Sequence, residues 1–297
     1  MSDADANTEI FNYHRGLLFS IAYRMLGTVS DAEDMLQEAY LRWHKADSNT
    51  VQSPKSFLCS IVTRLCIDEL RSAKTKREDY IGEWLPEPML TDPAPQPSEH
   101  VEMAESLSLA FLTLLERLSP TERAAYLLHH VFEYDYAEIA DMLETNEAAC
   151  RQWVKRAKDH LAQPKIRFDA SSAERQVVMT QFAQVCQSGD MAGLMQLLAS
   201  DIVAYADGGG KVRGAGLHPI EGAGHVAQLI FGLLKRAPAG LITQFAQVNG
   251  EPAIIGLLGQ QVFNVMVFHI VGQRIQNIYS IVNPDKLKPI AQQLGLL

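Results

Sequence analysis

Arg151, Gln152, Lys155, Arg156 and Lys158 are packed into one short stretch, with Glu147 just ahead of them. These side chains suit nucleic acid. Arginine can pair with guanine and glutamine with adenine in a major groove, which makes Glu147, Arg151, Gln152 and Lys155 candidates for reading bases, while Arg156 and Lys158 are better placed for phosphates. A helix must carry them. Ala149, Cys150, Trp153, Val154, Ala157 and Leu161 recur at steps of three, four and seven, an apolar face opposite the cations, and Asn146 can cap its start. Upstream, Ser119-Pro120-Thr121-Glu122 predicts a helix beginning at Pro120, and Asp135 with Glu138 repeats the cap spacing for a second ending about Leu143. Glu144-Thr145-Asn146 is the turn between the second helix and the cationic one. The layout is a helix-turn-helix; a helical hairpin with a solvated basic face is the competing reading.

Composition narrows the classes. Of 297 residues, 47% are hydrophobic and 21% charged, enough for two or three domains with cores and ordinary for a soluble chain. No apolar run reaches the roughly 20 residues of a bilayer span, and the first residues are polar and acidic rather than signal-like, so no membrane role and a cytoplasmic location are expected. Cys59, Cys66, Cys150 and Cys186 lack the paired spacing of a zinc or redox site, so neither a metal nor a cofactor is expected. A formal charge of −9 argues against indiscriminate nucleic-acid coating, because Lys and Arg neutralising phosphate supply most non-specific affinity. DNA binding would be local and assisted.

Ahead of the helix-turn-helix, the apolar spacing predicts helices over residues 9–26, from a Ser30/Glu33 capping box to about Trp43, and from Ser53-Pro54 to about Leu70. The middle one carries Asp31, Asp34, Gln37 and Glu38 on one face; the last runs into Arg71, Lys74, Lys76 and Arg77. From Glu78 to about Ser98, Pro86, Pro88, Pro93, Pro95 and Pro97 forbid a continuous helix and predict a stiff tether, within which Trp84-Leu85-Pro86-Glu87-Pro88 reads as a docking segment. Beyond Pro164, helices are expected over 173–187, 190–199 and 222–236, and strands over 202–206, 241–248, 253–258, 261–270 and 274–282, forming a curved antiparallel sheet.

Asp31-Ala32-Glu33-Asp34-Met35-Leu36-Gln37-Glu38 with Leu41-Arg42-Trp43 resembles the core-polymerase-binding helix of bacterial extracytoplasmic-function sigma factors. Ser56-Phe57-Leu58 and Thr63-Arg64-Leu65-Cys66-Ile67-Asp68-Glu69-Leu70-Arg71 resemble their next helix, which melts and reads the −10 element, and the helix-turn-helix resembles their −35-reading domain. The resemblance implies that Asp31, Asp34, Gln37 and Glu38 contact the clamp helices of RNA polymerase, with the β′ clamp and β flap as partners besides promoter DNA. It implies that Arg64, Asp68, Arg71 and Lys74 meet the −10 strand, and Glu147, Arg151, Gln152, Lys155, Arg156 and Lys158 the −35 element. Arg64 and Asp68 stand i to i+4, so a plain surface ion pair explains them equally well.

Three words sharpen the resemblance: Trp84-Leu85-Pro86-Glu87-Pro88, Asp207-Gly208-Gly209-Gly210-Lys211, and Asn283-Pro284-Asp285-Lys286-Leu287. Together they are similar to the sigma factors with a SnoaL-like C-terminal extension, a relative of the nuclear-transport-factor-2 fold. The resemblance implies two all-α domains and an α+β cone-shaped domain: residues 1–77, a linker 78–99, the helix-turn-helix domain 100–165 and the extension 166–297. It implies in-chain regulation through Trp84, Pro86, Asp207, Gly208, Gly209, Gly210, Lys211, Asn283, Pro284 and Asp285, with no separate anti-sigma protein required and a C-terminal pocket that could take a small effector. The glycines permit positive φ and close approach; a phosphate cradle is disfavoured because no helix with a Lys-Ser/Thr pair follows. The rival from another class is a helix-turn-helix protein fused to a ligand-binding or catalytic cyclase- or isomerase-like domain. Tyr205, Asp207, His218, His225, Asn264 and His269 are its candidates, but alternation puts Asn264 and His269 on opposite faces of one strand, and a non-enzymatic role is expected.

Overall fold

The computed structural model describes residues 3–46, 51–78, 80–91, 106–161, 170–212 and 214–297. The chain forms two compact units, one of Met1–Asp79 with Leu114–Lys165 and one of Tyr80–Thr113 with Ile166–Leu297. The division differs from the linear one expected, because the tether belongs with the C-terminal unit.

In the first unit, α1 (Asp3–Leu26) buries Phe11, Leu18, Ile21, Ala22 and Met25 and stops at Gly27, whose φ of 75° closes the last turn through an N–H bond to the Tyr23 carbonyl. The chain restarts almost at once. α2 (Val29–Lys45) has Thr28 at its N-cap position, so the expected Ser30/Glu33 box does not form: Ser30 already lies in the first turn, and Thr28 Oγ1 donates to Asp31. Ala32, Leu36, Ala39 and Trp43 are its buried stripe, with Trp43 Nε1 donating to the Asn7 carbonyl at 2.8 Å. α3 (Pro54–Glu78) runs past the expected end near Leu70 and buries Leu58, Val62, Leu65 and Cys66.

A short α4 (Leu109–Leu115), not foreseen from sequence, precedes the helix-turn-helix. α5 (Pro120–His130) and α6 (Tyr136–Met142) both carry the expected capping boxes, Ser119 with Glu122 and Asp135 with Glu138. α7 (Glu147–Leu161) starts where Asn146 Oδ1 accepts from the Ala149 N–H at 2.9 Å. Cys150, Val154 and Ala157 are buried on the predicted face.

In the second unit, α8 (Ser172–Ser188) and α9 (Met191–Leu197) lead directly into β1 (Leu198–Asp207). The strand starts four residues earlier than expected, since nothing in Leu197-Leu198-Ala199 marks the change. β2 (Ile220–Glu221) is a brief pairing, and α10 (Ala223–Lys235) crosses to β3 (Leu241–Val248), β4 (Glu251–Leu258), β5 (Gln261–Val271) and β6 (Arg274–Ile281), followed by α11 (Lys288–Gln293). The sheet order is β2-β1-β6-β5-β4-β3. It is mixed rather than antiparallel: β1 pairs with β6 in parallel, because the chain between them contains a helical crossover. Val178, Phe182, Leu194, Val226 and Ile230 of the helices pack on Ile202, Ala204, Phe268, Ile270 and Ile278 of one sheet face. Asn249-Gly250 makes the β3–β4 turn, both at positive φ (55° and 73°).

Candidate functional site

The acidic face of α2 is built as expected, with Asp34 and Gln37 exposed and Asp31 and Glu38 half-buried. Glu38 accepts from Arg42 Nε at 2.8 Å, one turn on. Gln37 lines a groove of about 420 Å³ between α1 and α2, whose apolar walls include Phe11, Leu36 and Leu41. Charge above an apolar groove suits docking to a partner of opposite charge.

On α3, Arg64 and Asp68 do not pair with each other. Arg64 turns to Glu144 of the helix-turn-helix turn, and Asp68 lies 3.6 Å from Arg71. The expected i to i+4 pair is thus replaced by exposed ion pairs with other partners. Arg64, Ile67, Asp68 and Arg71 line a cleft of about 190 Å³ whose other wall is Thr121, Leu143 and Trp153. The side chain of Lys74 lies outside the described residues.

Further contacts hold the two helical pieces of this unit together. Arg123, 3% exposed, donates to the Met25 carbonyl and the Leu115 carbonyl, both at 2.7 Å, and pairs with Glu116 at 2.9 Å. The Tyr134 hydroxyl reaches Cys59 Sγ at 3.4 Å, and burial pushes both groups' pKa values up. Arg24, whose burial lowers its pKa to about 10, sits 5.7 Å from the Phe132 ring centre.

On α7, Arg151, Gln152, Lys155, Arg156 and Lys158 are all exposed. Arg151 donates to Glu147 at 2.6 Å and lies over the Tyr136 ring. Arg156 is turned inward to Glu122, 2.8 Å away, joining α7 to the first turn of α5. Glu122 therefore serves both as a cap and as a counter-charge; the bonds from Ser119 and Arg156 hold its pKa down against the desolvation that opposes them.

The second unit holds a site that its three sequence words meet to form. Asp207, fully buried at the end of β1, accepts from the Leu85 N–H at 2.9 Å, the Tyr80 hydroxyl at 2.5 Å, the Gly209 N–H at 3.0 Å and Lys286 Nζ at 2.7 Å. Lys286, 6% exposed, also donates to the Leu85 carbonyl at 2.5 Å and lies 4.2 Å from the Trp84 ring centre. Asn283 donates to the Tyr80 oxygen at 2.9 Å. Desolvation, with Asp207 beside it, pushes the Tyr80 pKa up. Gly209 has φ 55°, and a Cβ there would fall on the Asn283 amide; Gly210 meets Ile81. The glycines let the loop close over the tether. Pro86 is buried within it, Pro284 is exposed, and Asp285 pairs with Lys211 and Lys288 of its own domain.

Sequence reasoning left Tyr80 out of the site and missed a second clasp. Asn249 exchanges backbone and side-chain bonds with Met89 (Asn249 N to Met89 O at 2.9 Å, Met89 N to Asn249 Oδ1 at 3.0 Å), while its Nδ2 donates to the Leu107 carbonyl at 2.9 Å. One side chain thus grips both sides of the tether. Nothing but the Asn-Gly turn signal marked this residue.

Among the candidates for catalysis, Tyr205 and His269 are linked through Tyr279, which stacks on Tyr205 and feels the charge of Glu251, the partner of His269. His218 and His225 are exposed; Tyr205 stacks on Tyr279; Asp207 is consumed by the tether. His269 is buried against Glu251 at 2.7 Å, and Asn264 lies on the opposite face, across from Gly256. No group of His, Cys, Asp and Glu fit to hold a metal ion occurs among the described residues, nor any helix long and apolar enough to cross a membrane.

Residues 10–76 match the family Sigma-70 region 2, and residues 108–161 match Sigma-70, region 4. The ECF RNA polymerase sigma factor SigJ of Mycobacterium tuberculosis is 38% identical over 288 residues, covering 93% of this chain and 91% of the relative. The probable ECF RNA polymerase sigma factor SigI of the same species is 29% identical over 297 residues, covering 99% of each. The crystal structure of M. tuberculosis SigJ superposes with a TM-score of 0.77 at 33% identity, over 95% of this chain and 98% of that one, the C-terminal α+β domain included. An acidic helix over a groove, a basic-ended helix and a helix-turn-helix, in this order and with these relatives, define the family: the chain belongs to the extracytoplasmic-function sigma factors of RNA polymerase.

Proposed function

We propose that this sigma factor is held shut when free and is governed in cis by its C-terminal domain. RNA polymerase core and promoter DNA are the partners its family implies. In this reading Asp31, Asp34, Gln37 and Glu38 dock on the polymerase clamp; Arg64, Asp68, Arg71 and Lys74 meet the −10 strand; and Glu147, Arg151, Gln152, Lys155 and Lys158 meet the −35 element, with Arg156 braced by Glu122 beside them. The observation that carries the reading is the cleft in which Arg64, Asp68 and Arg71 face Trp153 and Leu143. Promoter elements about 25 base pairs apart are separated by roughly 85 Å of B-form duplex, at about 34 Å per ten base pairs. Surfaces that share one small cleft cannot reach both, so the helix-turn-helix must leave α3 before initiation.

The tether between them limits that departure. Its residues 80–91 are bound to Asp207, Lys286 and Asn249, so extending it costs several buried hydrogen bonds, some of them to the charged members of the Asp207–Lys286 pair. Regulation by a separate anti-sigma protein is unnecessary in this account. The test is in vitro transcription with purified core polymerase, comparing the wild type with Lys286→Met, which leaves Asp207 without its cation. The variant is expected to initiate several-fold more at limiting core with its circular dichroism unchanged. Equal activity would remove regulation through the tether.

A further inference from the structure

We propose that Tyr136 is a positioning residue for −35 recognition, setting the arginine that reads a base pair; the proposal rests on Arg151 making that contact. A run of fixed groups leads from the domain core to the cationic face. Tyr134, buried at the α5–α6 turn, is held through its hydroxyl by Cys59, and its carbonyl lies 3.0 Å from His129 Nδ1. That bond orients the His129 ring, which stacks on Tyr136 with centres 4.3 Å apart and planes 28° from parallel. The guanidinium carbon of Arg151 lies 5.1 Å from the centre of the same Tyr136 ring. Glu147 takes one terminal nitrogen of Arg151 at 2.6 Å, and the side chain stays 55% exposed, so the rest of its donor fork faces outward.

An arginine on an exposed helix face samples many rotamers, and each must be given up when it pairs with a base. Glu147 alone fixes one end of the fork. The Tyr136 ring adds a second, planar constraint, attracting the cation to its face without using any N–H that a base would need. Tyr136 is the first residue of α6, so its backbone is set by the Asp135 cap rather than by the recognition helix. The supporting helix thereby contributes to specificity without touching a base.

The experiment uses holoenzyme reconstituted from the full chain and core polymerase, on a promoter from which it initiates, with single substitutions across the −35 element in competition binding. Arg151→Ala should flatten discrimination at one base pair. Tyr136→Leu should lower discrimination at that same pair by about two- to five-fold, the range of an exposed cation–π contact. Other positions and the salt dependence should stay as in the wild type. Tyr136→Phe, which keeps the ring, should behave as wild type, and the double variant should discriminate no worse than Arg151→Ala. Unchanged discrimination in Tyr136→Leu, an equal loss at every base pair, or additive losses in the double variant would each overturn the proposal while leaving Arg151 as the reader. If Arg151→Ala changes preference at no position, the −35 assignment itself fails and the proposal falls with it. Thermal midpoints of all variants separate these outcomes from unfolding.

Discussion

At the scale of the residue, this protein puts charges where water is scarce and surrounds them with partners. Asp207 is fully buried yet receives four donors, and Lys286 is shared between that carboxylate, a carbonyl and an aromatic face. Buried pairs of this kind stabilise little against an apolar substitute, but breaking one costs about 3–5 kcal/mol. Removing Lys286 would leave Asp207 without its cation and would also take the donor from the Leu85 carbonyl of the tether. His130 offers a test at the same scale. Burial, with Lys158 and His129 adding to it, lowers its pKa to about 4 from an ordinary 6.5. The unfolded chain therefore binds this proton between about pH 6.5 and pH 4 and the folded chain does not, so stability falls as pH drops through that window and the contribution is complete above it. Replacing His130 with Asn should flatten that part of the pH–stability curve. Parallel curves for the two proteins in urea melts would contradict the assignment.

At the scale of the element, the helix-turn-helix is the best-specified part of the chain. Its three starts are each fixed by a side chain that satisfies free backbone donors: Ser119, Asp135 and Asn146. Asn146→Ala should cost about 1 kcal/mol, and because the cap opens the recognition helix, the thermal midpoint should fall together with −35 affinity; an unchanged midpoint would mean Asn146 is not the cap. This explains why these helices were legible in the sequence, since local capping chemistry and a 3.6-residue apolar repeat decide them. The β3–β6 strands were legible for a similar reason: alternation and Gly turns set them. The start of α2 was not, because Gly27 ends one helix so close to the next that Thr28, rather than Ser30, holds the cap position. Nor was the parallel pairing of β1 with β6, which joins residues more than seventy positions apart and leaves no local mark. The tether site was half legible: the glycines and Trp84 stood out, whereas Tyr80 and Asn249 owe their roles to the surface they meet.

At the scale of the whole molecule, two kinds of contact serve one end. Within the first unit, Arg123, Arg64 and Tyr134 fasten the helix-turn-helix to the preceding helices. Within the second, the segment that joins those helical pieces in sequence is clasped at Asp207 and again at Asn249. The chain's charge of −9 argues against strong sequence-independent binding of DNA by the chain alone. The central claim is that the free chain is closed over α3 and opens on polymerase. Energy transfer between dyes placed at Tyr13 on α1 and Asp159 on α7, measured with and without core polymerase, tests it most directly. The account predicts high transfer in the free protein and a large drop when core polymerase is added. Low transfer in the free protein, or transfer that stays high in a holoenzyme competent to initiate, would contradict it.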